Sequence, residues 1–321
     1  MNAPSVRSHE KTVAIVGAGS IGVAFALVFA RAGWRVRLQD PDASRLAAVA
    51  GEVAERATAL KTFELLDEAP QDVCARVATV AALPDAVAGV PLVLECAPER
   101  VELKRALFAQ LDSLAPADAI LASVSSALPV SSFASDLPGR ARCLIAHPGN
   151  PPYLIPVVEI VPAAFTDMQV AQRAEQLFSE VGMAPVRVAR EVEGFIFNRL
   201  QGAVLREAYC LVRDGVASVA DIDRVMREGL APRWSVIGPF ETVDLNTRGG
   251  IASHAQKMGP AYARMGKERG QDDPWTPQLV ADVERQRRAV LPLEQWQSRV
   301  SWRDIELMAL TRDRNKRAGK N

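Results

Sequence analysis

Short apolar runs alternate with longer amphipathic runs through the N-terminal half of the chain. Val13–Val16, Arg35–Gln39, Val90–Cys96, Ala119–Ser123 and Cys143–Ala146 read as strands. Val23–Ala32, Ala43–Leu66 and Val101–Leu114 read as the helices between them. Val157–Val161 and Pro185–Val188 are further strands, with a helix over Met168–Val181. Such alternation predicts a mostly parallel sheet covered by helices on both faces. After Arg190 the pattern becomes helical. Phe195–Asp214 is long and largely apolar, which predicts a helix buried in a core or an interface. Val219–Glu228, Pro239–Leu245 and Glu294–Arg314 also read as helices. The expectation is an α/β protein with a sheet domain over residues 1–190. A second, all-helical domain over residues 191–321 would serve substrate binding and dimerisation.

Composition narrows the function classes. The chain has 321 residues, 49% of them hydrophobic, with 38 basic against 38 acidic side chains. An apolar fraction this high at zero net charge excludes disorder as the main state. The absence of a basic surplus argues against a nucleic-acid partner, and the basic run Arg314–Lys320 reads as a solvated tail. Residues 12–30 carry no charge and could pass for a short membrane span. Gly17, Gly19 and Gly22 divide that run into a buried strand and a buried helix, so no membrane partner is expected. Cys74, Cys96, Cys143 and Cys210 lack the spacing of a metal or redox motif. Reduced thiols and a cytoplasmic location follow as expectations.

Gly17-Ala18-Gly19-Ser20-Ile21-Gly22 is G-x-G-x-x-G between a strand and a helix, and Asp40 ends the next strand. This is the Rossmann-type dinucleotide signature. Gly17 permits the tight turn, Gly19 the approach of a pyrophosphate, and Gly22 the packing of helix on strand. The helix start offers N–H groups and positive dipole to the phosphates. Asp40 would bond the ribose hydroxyls and repel a 2′-phosphate, which predicts NAD rather than NADP.

Of three histidines, His9 falls in a frayed N-terminal tail and His254 in a polar stretch. His147 ends a strand and precedes the turn-rich Pro148-Gly149-Asn150-Pro151-Pro152. Glu159 follows 12 residues later inside the apolar Val157–Val161. A carboxylate there needs a partner. Two strands joined by a loop can bring the pair together, and a His–Glu pair makes a general base.

These features resemble the 3-hydroxyacyl-CoA dehydrogenase superfamily. Its motifs match Ser123-Val124-Ser125-Ser126, His147-Pro148-Gly149-Asn150-Pro151, Glu159, and Gly194-Phe195-Ile196-Phe197-Asn198-Arg199-Leu200. Within it the chain is most similar to the λ-crystallin (L-gulonate 3-dehydrogenase) branch. The similarity lies in Glu95–Glu99, Phe108–Ser113, His147–Pro162, Glu228-Gly229-Leu230, Arg233, Ile237-Gly238-Pro239 and Gln297–Asp304. The resemblance implies His147 as base, Glu159 as its orienting partner, and Ser126 and Asn198 as ligands of the reacting oxygen. It implies Glu99 and Lys104 along the nicotinamide side. Val124 departs from the polar residue usual between the serines, which puts the substrate in question. Arg233 would bind a free carboxylate by a two-pronged contact.

The reading that follows is NAD-dependent oxidation of a small free 3-hydroxy acid, L-gulonate-like, by a homodimer. A 3-hydroxyacyl-CoA dehydrogenase and an L-carnitine dehydrogenase are the alternatives, the latter with Trp234 or Tyr153 around its trimethylammonium group. A crystallin-like structural protein or an NAD(H) sensor is the non-enzyme alternative.

Overall fold

A computed structural model describes residues 11–235, 238–247, 250–270 and 292–317, with Gln278, Ala281, Arg285 and Ala289. His9, Ile237 and the end of the basic tail from residue 318 lie outside the described residues. The chain divides into two compact units. One holds the described residues up to Arg199 and those from Trp302 onward; the other is Leu200–Ser301. The last helix, Trp296–Arg317, thus belongs from Trp302 to the sheet unit, whereas the sequence reading gave it to the helical domain.

The first unit is built on eight strands: β1 Thr12–Val16, β2 Arg35–Gln39, β3 Val77–Val80, β4 Leu92–Glu95, β5 Ile120–Ser123, β6 Cys143–Pro148, β7 Val157–Pro162 and β8 Ala184–Arg187. Their order is β3-β2-β1-β4-β5-β6-β7-β8. All neighbours are parallel except β6 and β7, which run antiparallel. The edge strand β3 escaped the sequence reading because its residues are half-buried or exposed, without an apolar run.

Residues alternate between the two faces of the sheet. Val13, Ile15, Leu92, Leu94, Ile120, Ala122, Leu144, Ala146, Val158 and Ile160 face one core. The helix Ser20–Arg31 packs there, with Phe25 and Phe29 against Phe178 of the helix Met168–Glu180 at 6.2 and 6.1 Å between ring centres. Ala14, Val16, Val93, Leu121, Ile145 and Val161 face a second core. Here the helix Val101–Leu114 buries Lys104, Phe108 and Leu111, which share one helical face. The second face governs function: continuing its alternation by two residues places Glu95, Ser123 and His147 at the strand ends, with Glu159 on the same side.

Two of the helix limits that differ from the sequence reading lie at residues with positive φ. The helix starting at Ala43 ends at Thr62 rather than Leu66, because Glu64 adopts φ +57°. The helix expected from Phe195 begins at Phe197, because Gly194 and Phe195 adopt φ +75° and +48°.

The second unit is helical where described, with Val219–Val225, a π-helical turn over Met226–Leu230, Ala231–Trp234, Pro239–Asn246 and Gly250–Arg269. Arg269 ties two of its segments by pairing with Glu207 and Asp214. Of the two settings the sequence allowed for the helix Phe197–Arg213, a core or an interface, the structure does not show the first: Cys210 is its one buried residue, and Leu200 is 60% exposed. An apolar groove of about 520 Å³ is lined by Val204, Leu211, Ile222, Val225, Met226 and Leu230. Among the described residues no helix is long and apolar enough to cross a membrane.

Candidate active site

The glycine motif follows β1, where β1 lies between β2 and β4 and the connections diverge to either side. A cleft for a dinucleotide forms at such a switch point. Gly17 sits at φ +112°, and a Cβ there would meet the Cys96 carbonyl at 2.8 Å. At Gly22 a Cβ would lie 1.9 Å from the Gly17 oxygen. Nothing lies within 4 Å of a Cβ at Gly19, whose backbone is in a region open to any residue. The space beside Gly19 is thus open toward the outside, as a phosphate approaching the start of helix Ser20–Arg31 would need.

Asp40 closes the adjoining cavity of about 710 Å³, which is also lined by Gly17, Gly19, Arg45, Cys96 and Ala97. One carboxylate oxygen of Asp40 accepts the Ala18 N–H at 2.7 Å and the other the Asp42 N–H at 2.9 Å. The carboxylate is therefore fixed on the cavity wall, where a ribose can bond it and a 2′-phosphate meets like charge. These features fit a bound NAD.

At the other end of the sheet, the antiparallel pairing puts His147 directly opposite Glu159. Nδ1 of His147 lies 2.8 Å from Oε2 of Glu159, and both residues are buried. Oε1 of Glu159 accepts the N–H groups of Ile196 at 2.7 Å and Phe197 at 3.0 Å. Burial pushes the Glu159 carboxyl up. The hydrogen bonds from His147, Phe197 and Ile196 outweigh it and hold the group below its ordinary value. An ionised carboxylate can only accept, so Nδ1 carries the proton and Nε2 of the neutral ring keeps its lone pair. Phe195 is fully buried and its ring lies 5.6 Å from the imidazole; Phe197 approaches it at 6.2 Å. The pair is thus held in an apolar wall.

Ser126 is exposed on the turn after β5. Its carbonyl accepts the Asn198 side-chain N–H at 3.1 Å, which brings these two expected oxygen ligands together. Glu99 does not point away from this turn: Oε1 accepts the Ser125 hydroxyl at 2.7 Å and the N–H groups of Ser126 and Ala127 at 2.6 and 3.0 Å. Burial raises the Glu99 carboxyl, but those bonds and the Lys104 charge bring it below its usual value. Lys104 is fully buried, with Nζ 2.9 Å from each Glu95 oxygen. Glu95 and Ser123 were missed in the sequence. The signal was present at Glu95, a carboxylate ending the apolar Val90–Leu94 run just as Glu159 interrupts its own strand.

Arg233 is exposed on the helix Ala231–Trp234 of the second unit. Tyr153, offered above for a trimethylammonium cage, is engaged otherwise: Arg56 lies 5.9 Å over its ring, and its hydroxyl reaches Asp304 at 3.5 Å. His254 is half-buried, with Nδ1 3.1 Å from the Thr247 hydroxyl. Among the described residues no group of three or more His, Cys, Asp or Glu side chains could hold a metal ion. All four cysteines are free thiols.

A nucleotide cleft and a buried His–Glu pair on one sheet define a dinucleotide-dependent dehydrogenase, and the comparisons place it. Residues 12–192 match the NAD-binding domain of 3-hydroxyacyl-CoA dehydrogenase, and residues 194–290 match its C-terminal domain. The chain belongs to the 3-hydroxyacyl-CoA dehydrogenase family, whose members are NAD-dependent oxidoreductases acting on CH–OH groups. It is 35% identical to λ-crystallin of Oryctolagus cuniculus over 94% of this chain and 95% of that one. It is 35% identical to L-carnitine dehydrogenase of Streptomyces griseus over 88% and 81% of the two chains. Among solved structures, an NAD+-dependent 5-formyl-3-hydroxy-2-methylpyridine 4-carboxylic acid 5-dehydrogenase superposes with TM-score 0.78 at 25% identity, covering 94% of this chain and 97% of that one.

Two outcomes follow from this geometry. Gly19→Ala should melt like the wild type but bind NADH more weakly, whereas Gly22→Ala should lose thermal stability outright. Thermal melting and NADH fluorescence titration separate them, and equal behaviour of the two variants would contradict the assignment. The second outcome concerns acid. Glu159 has a folded pKa below its unfolded one, so the stability it contributes is complete above about pH 4.3 and lost as pH falls through the folded value. Glu159→Gln should therefore melt well below the wild type at neutral pH, with the gap closing on acidification. A gap independent of pH would show that the carboxylate is not held in this way.

Proposed function

We propose that the chain oxidises a small free 3-hydroxy acid, L-gulonate-like, to the 3-keto acid, with His147 as general base. The observation that carries this is the buried His147–Glu159 pair, its acceptor-only carboxylate leaving Nε2 free to take a proton. When bound, NAD supplies the acceptor for the hydride leaving the substrate carbon. His147 Nε2 takes the hydroxyl proton, and Glu159 stabilises the imidazolium that results. Ser126 and Asn198 hydrogen-bond the oxygen as it becomes a carbonyl. The Asn198 amide holds the Ser126 carbonyl through one N–H and keeps the other for the substrate.

Arg233 supports a free acid over a thioester, because a guanidinium gains most from a charged carboxylate. The likeness to an L-carnitine dehydrogenase supports the same choice, since carnitine is itself a free 3-hydroxy acid. The engagement of Tyr153 with Arg56 speaks against carnitine as the substrate here. The exposed Leu200, and the apolar groove with its exposed Val225, support a homodimer formed through the helical unit. A cytoplasmic setting accords with four free thiols.

The test compares L-gulonate, L-carnitine, 3-hydroxybutyrate and 3-hydroxybutyryl-CoA by NADH formation, in the wild type, Arg233→Lys and Arg233→Ala. A free acid should be the best substrate. Arg233→Ala should cost it about 10–150-fold in kcat/KM, mostly in KM, because a charge-assisted hydrogen bond is worth roughly 1.5–3 kcal/mol. Arg233→Lys should recover part of the loss. If the thioester is the better wild-type substrate and Arg233→Ala leaves the free-acid rate alone, the acyl-CoA reading replaces this one.

A further inference from the structure

The cavity wall that carries Asp40 also carries a cation. Arg45 lies in the first turn of the helix Ala43–Thr62, with its side chain 39% exposed. Both residues line the same cavity, and both bond the same residue of the glycine loop. Asp40 accepts the Ala18 N–H at 2.7 Å, while Arg45 donates from Nε and Nη2 to the Ala18 carbonyl at 3.2 and 2.5 Å. Opposite charges therefore flank a single backbone residue.

The guanidinium is fixed where it stands. Its Nη2 also reaches one oxygen of Glu52 at 3.3 Å. The other Glu52 oxygen accepts Arg56 Nη2 at 3.1 Å, and Arg56 Nη1 donates to the Ser20 carbonyl at 3.3 Å. Two arginines joined by one carboxylate thus grip the loop on either side of Gly19. A guanidinium has five N–H groups. Nε and Nη2 account for three in Arg45, and the two on Nη1 meet no acceptor among the described residues. An arginine placed beside the ribose position is what accommodates a 2′-phosphate in this type of fold, because its planar fork matches the phosphate oxygens.

The neighbouring charges decide what this wall accepts. Asp40, Asp42 and Glu52 are acidic and Arg45 and Arg56 are basic, an excess of one negative charge. Asp42 spends one oxygen on the Ser44 N–H and hydroxyl, and Glu52 is shared between the two arginines. Asp40 is thus the acidic group set against the ribose, and without its charge the wall is neutral.

We propose that Arg45 is a specificity residue of the cofactor site, a preformed ligand for a 2′-phosphate that the Asp40 charge overrides. The preference for NAD then depends on one carboxylate and not on the lack of a phosphate donor. This rests on the reading of Asp40 as the residue that meets the adenosine ribose.

NADH and NADPH differ only in the 2′-phosphate, so the ratio of their dissociation constants isolates that group and cancels any general effect on the glycine loop. Fluorescence titration at low salt gives the ratio for wild type, Asp40→Asn, Arg45→Met and the double variant, with thermal melting run beside it. Asp40→Asn should shift the ratio toward NADPH by about 10-fold or more. Adding Arg45→Met should reverse that shift by about 10-fold, and adding Arg45→Lys should reverse it less. The shift in Asp40→Asn should shrink in about 1 M salt. Should Asp40→Asn melt too low to titrate, Glu52→Gln removes a negative charge without touching Asp40. It should move the ratio toward NADPH by about 3-fold, and only while Arg45 is present. A shift that Arg45→Met leaves in place would overturn the proposal and leave Asp40 acting by its own charge alone. A ratio that Asp40→Asn does not change would overturn the reading of Asp40 first, and the role of Arg45 with it.

Discussion

A carboxylate buried in an apolar strand is tolerable only if its charge is met on every side. Glu159 is met on two. One oxygen faces His147 across the antiparallel β6–β7 pair, and the other receives two backbone N–H groups at the start of the helix Phe197–Arg213. The rest of the site depends on this arrangement. It fixes the imidazole, pins the beginning of the helix to the sheet, and places Asn198 one residue beyond the second N–H. The unusual backbone at Gly194 and Phe195 is a condition for it, since the chain must reverse to present consecutive N–H groups to a single oxygen. Non-glycine residues rarely sit at positive φ unless the surroundings enforce it, and here the fully buried Phe195 ring is wedged against His147.

The same logic operates along the sheet. Strand alternation sends Val93, Leu121 and Ile145 to one core, and the residue two positions on is Glu95, Ser123 or His147. Each strand spends its apolar positions on packing and its last inward position on a polar group near the cleft. Glu95 and Glu159 are both interior carboxylates, answered by Lys104 in one case and by an imidazole in the other. The imidazole can gain and lose a proton, so the second pair can do chemistry.

Much of this was legible in the sequence. The glycine spacing pointed to the nucleotide loop, and two of its glycines, Gly17 and Gly22, answer steric demands of the fold that no other residue meets. The contacts around Gly17 and Gly22 are those demands seen directly. Glu159 was legible as a charge out of place, and a turn-forming segment between two strands suggested its partner. Glu95 carried the same signal but stood next to Cys96 at a strand end, where a polar residue attracts no notice. The role of Glu99 was hidden for another reason: besides the Ser125 hydroxyl, its bonds go to backbone N–H groups 27 and 28 positions away, which no side-chain pattern records. The start of the helix at Phe197 was hidden because positive φ at Phe195 leaves no mark in hydrophobic periodicity. The setting of the helix Phe197–Arg213 was not legible, because apolar residues that are buried and apolar residues left exposed read alike in the sequence.

The proposed base role of His147 requires that Glu159 hold the ring proton on Nδ1 and leave Nε2 bare. Nitrogen NMR of histidine-labelled protein reads this directly for the neutral ring, with His147→Gln assigning the resonance. The account predicts a single neutral tautomer protonated on Nδ1 in the wild type, and an averaged tautomer mixture in Glu159→Ala. A His147 ring protonated on Nε2, or one unaffected by loss of Glu159, would contradict it.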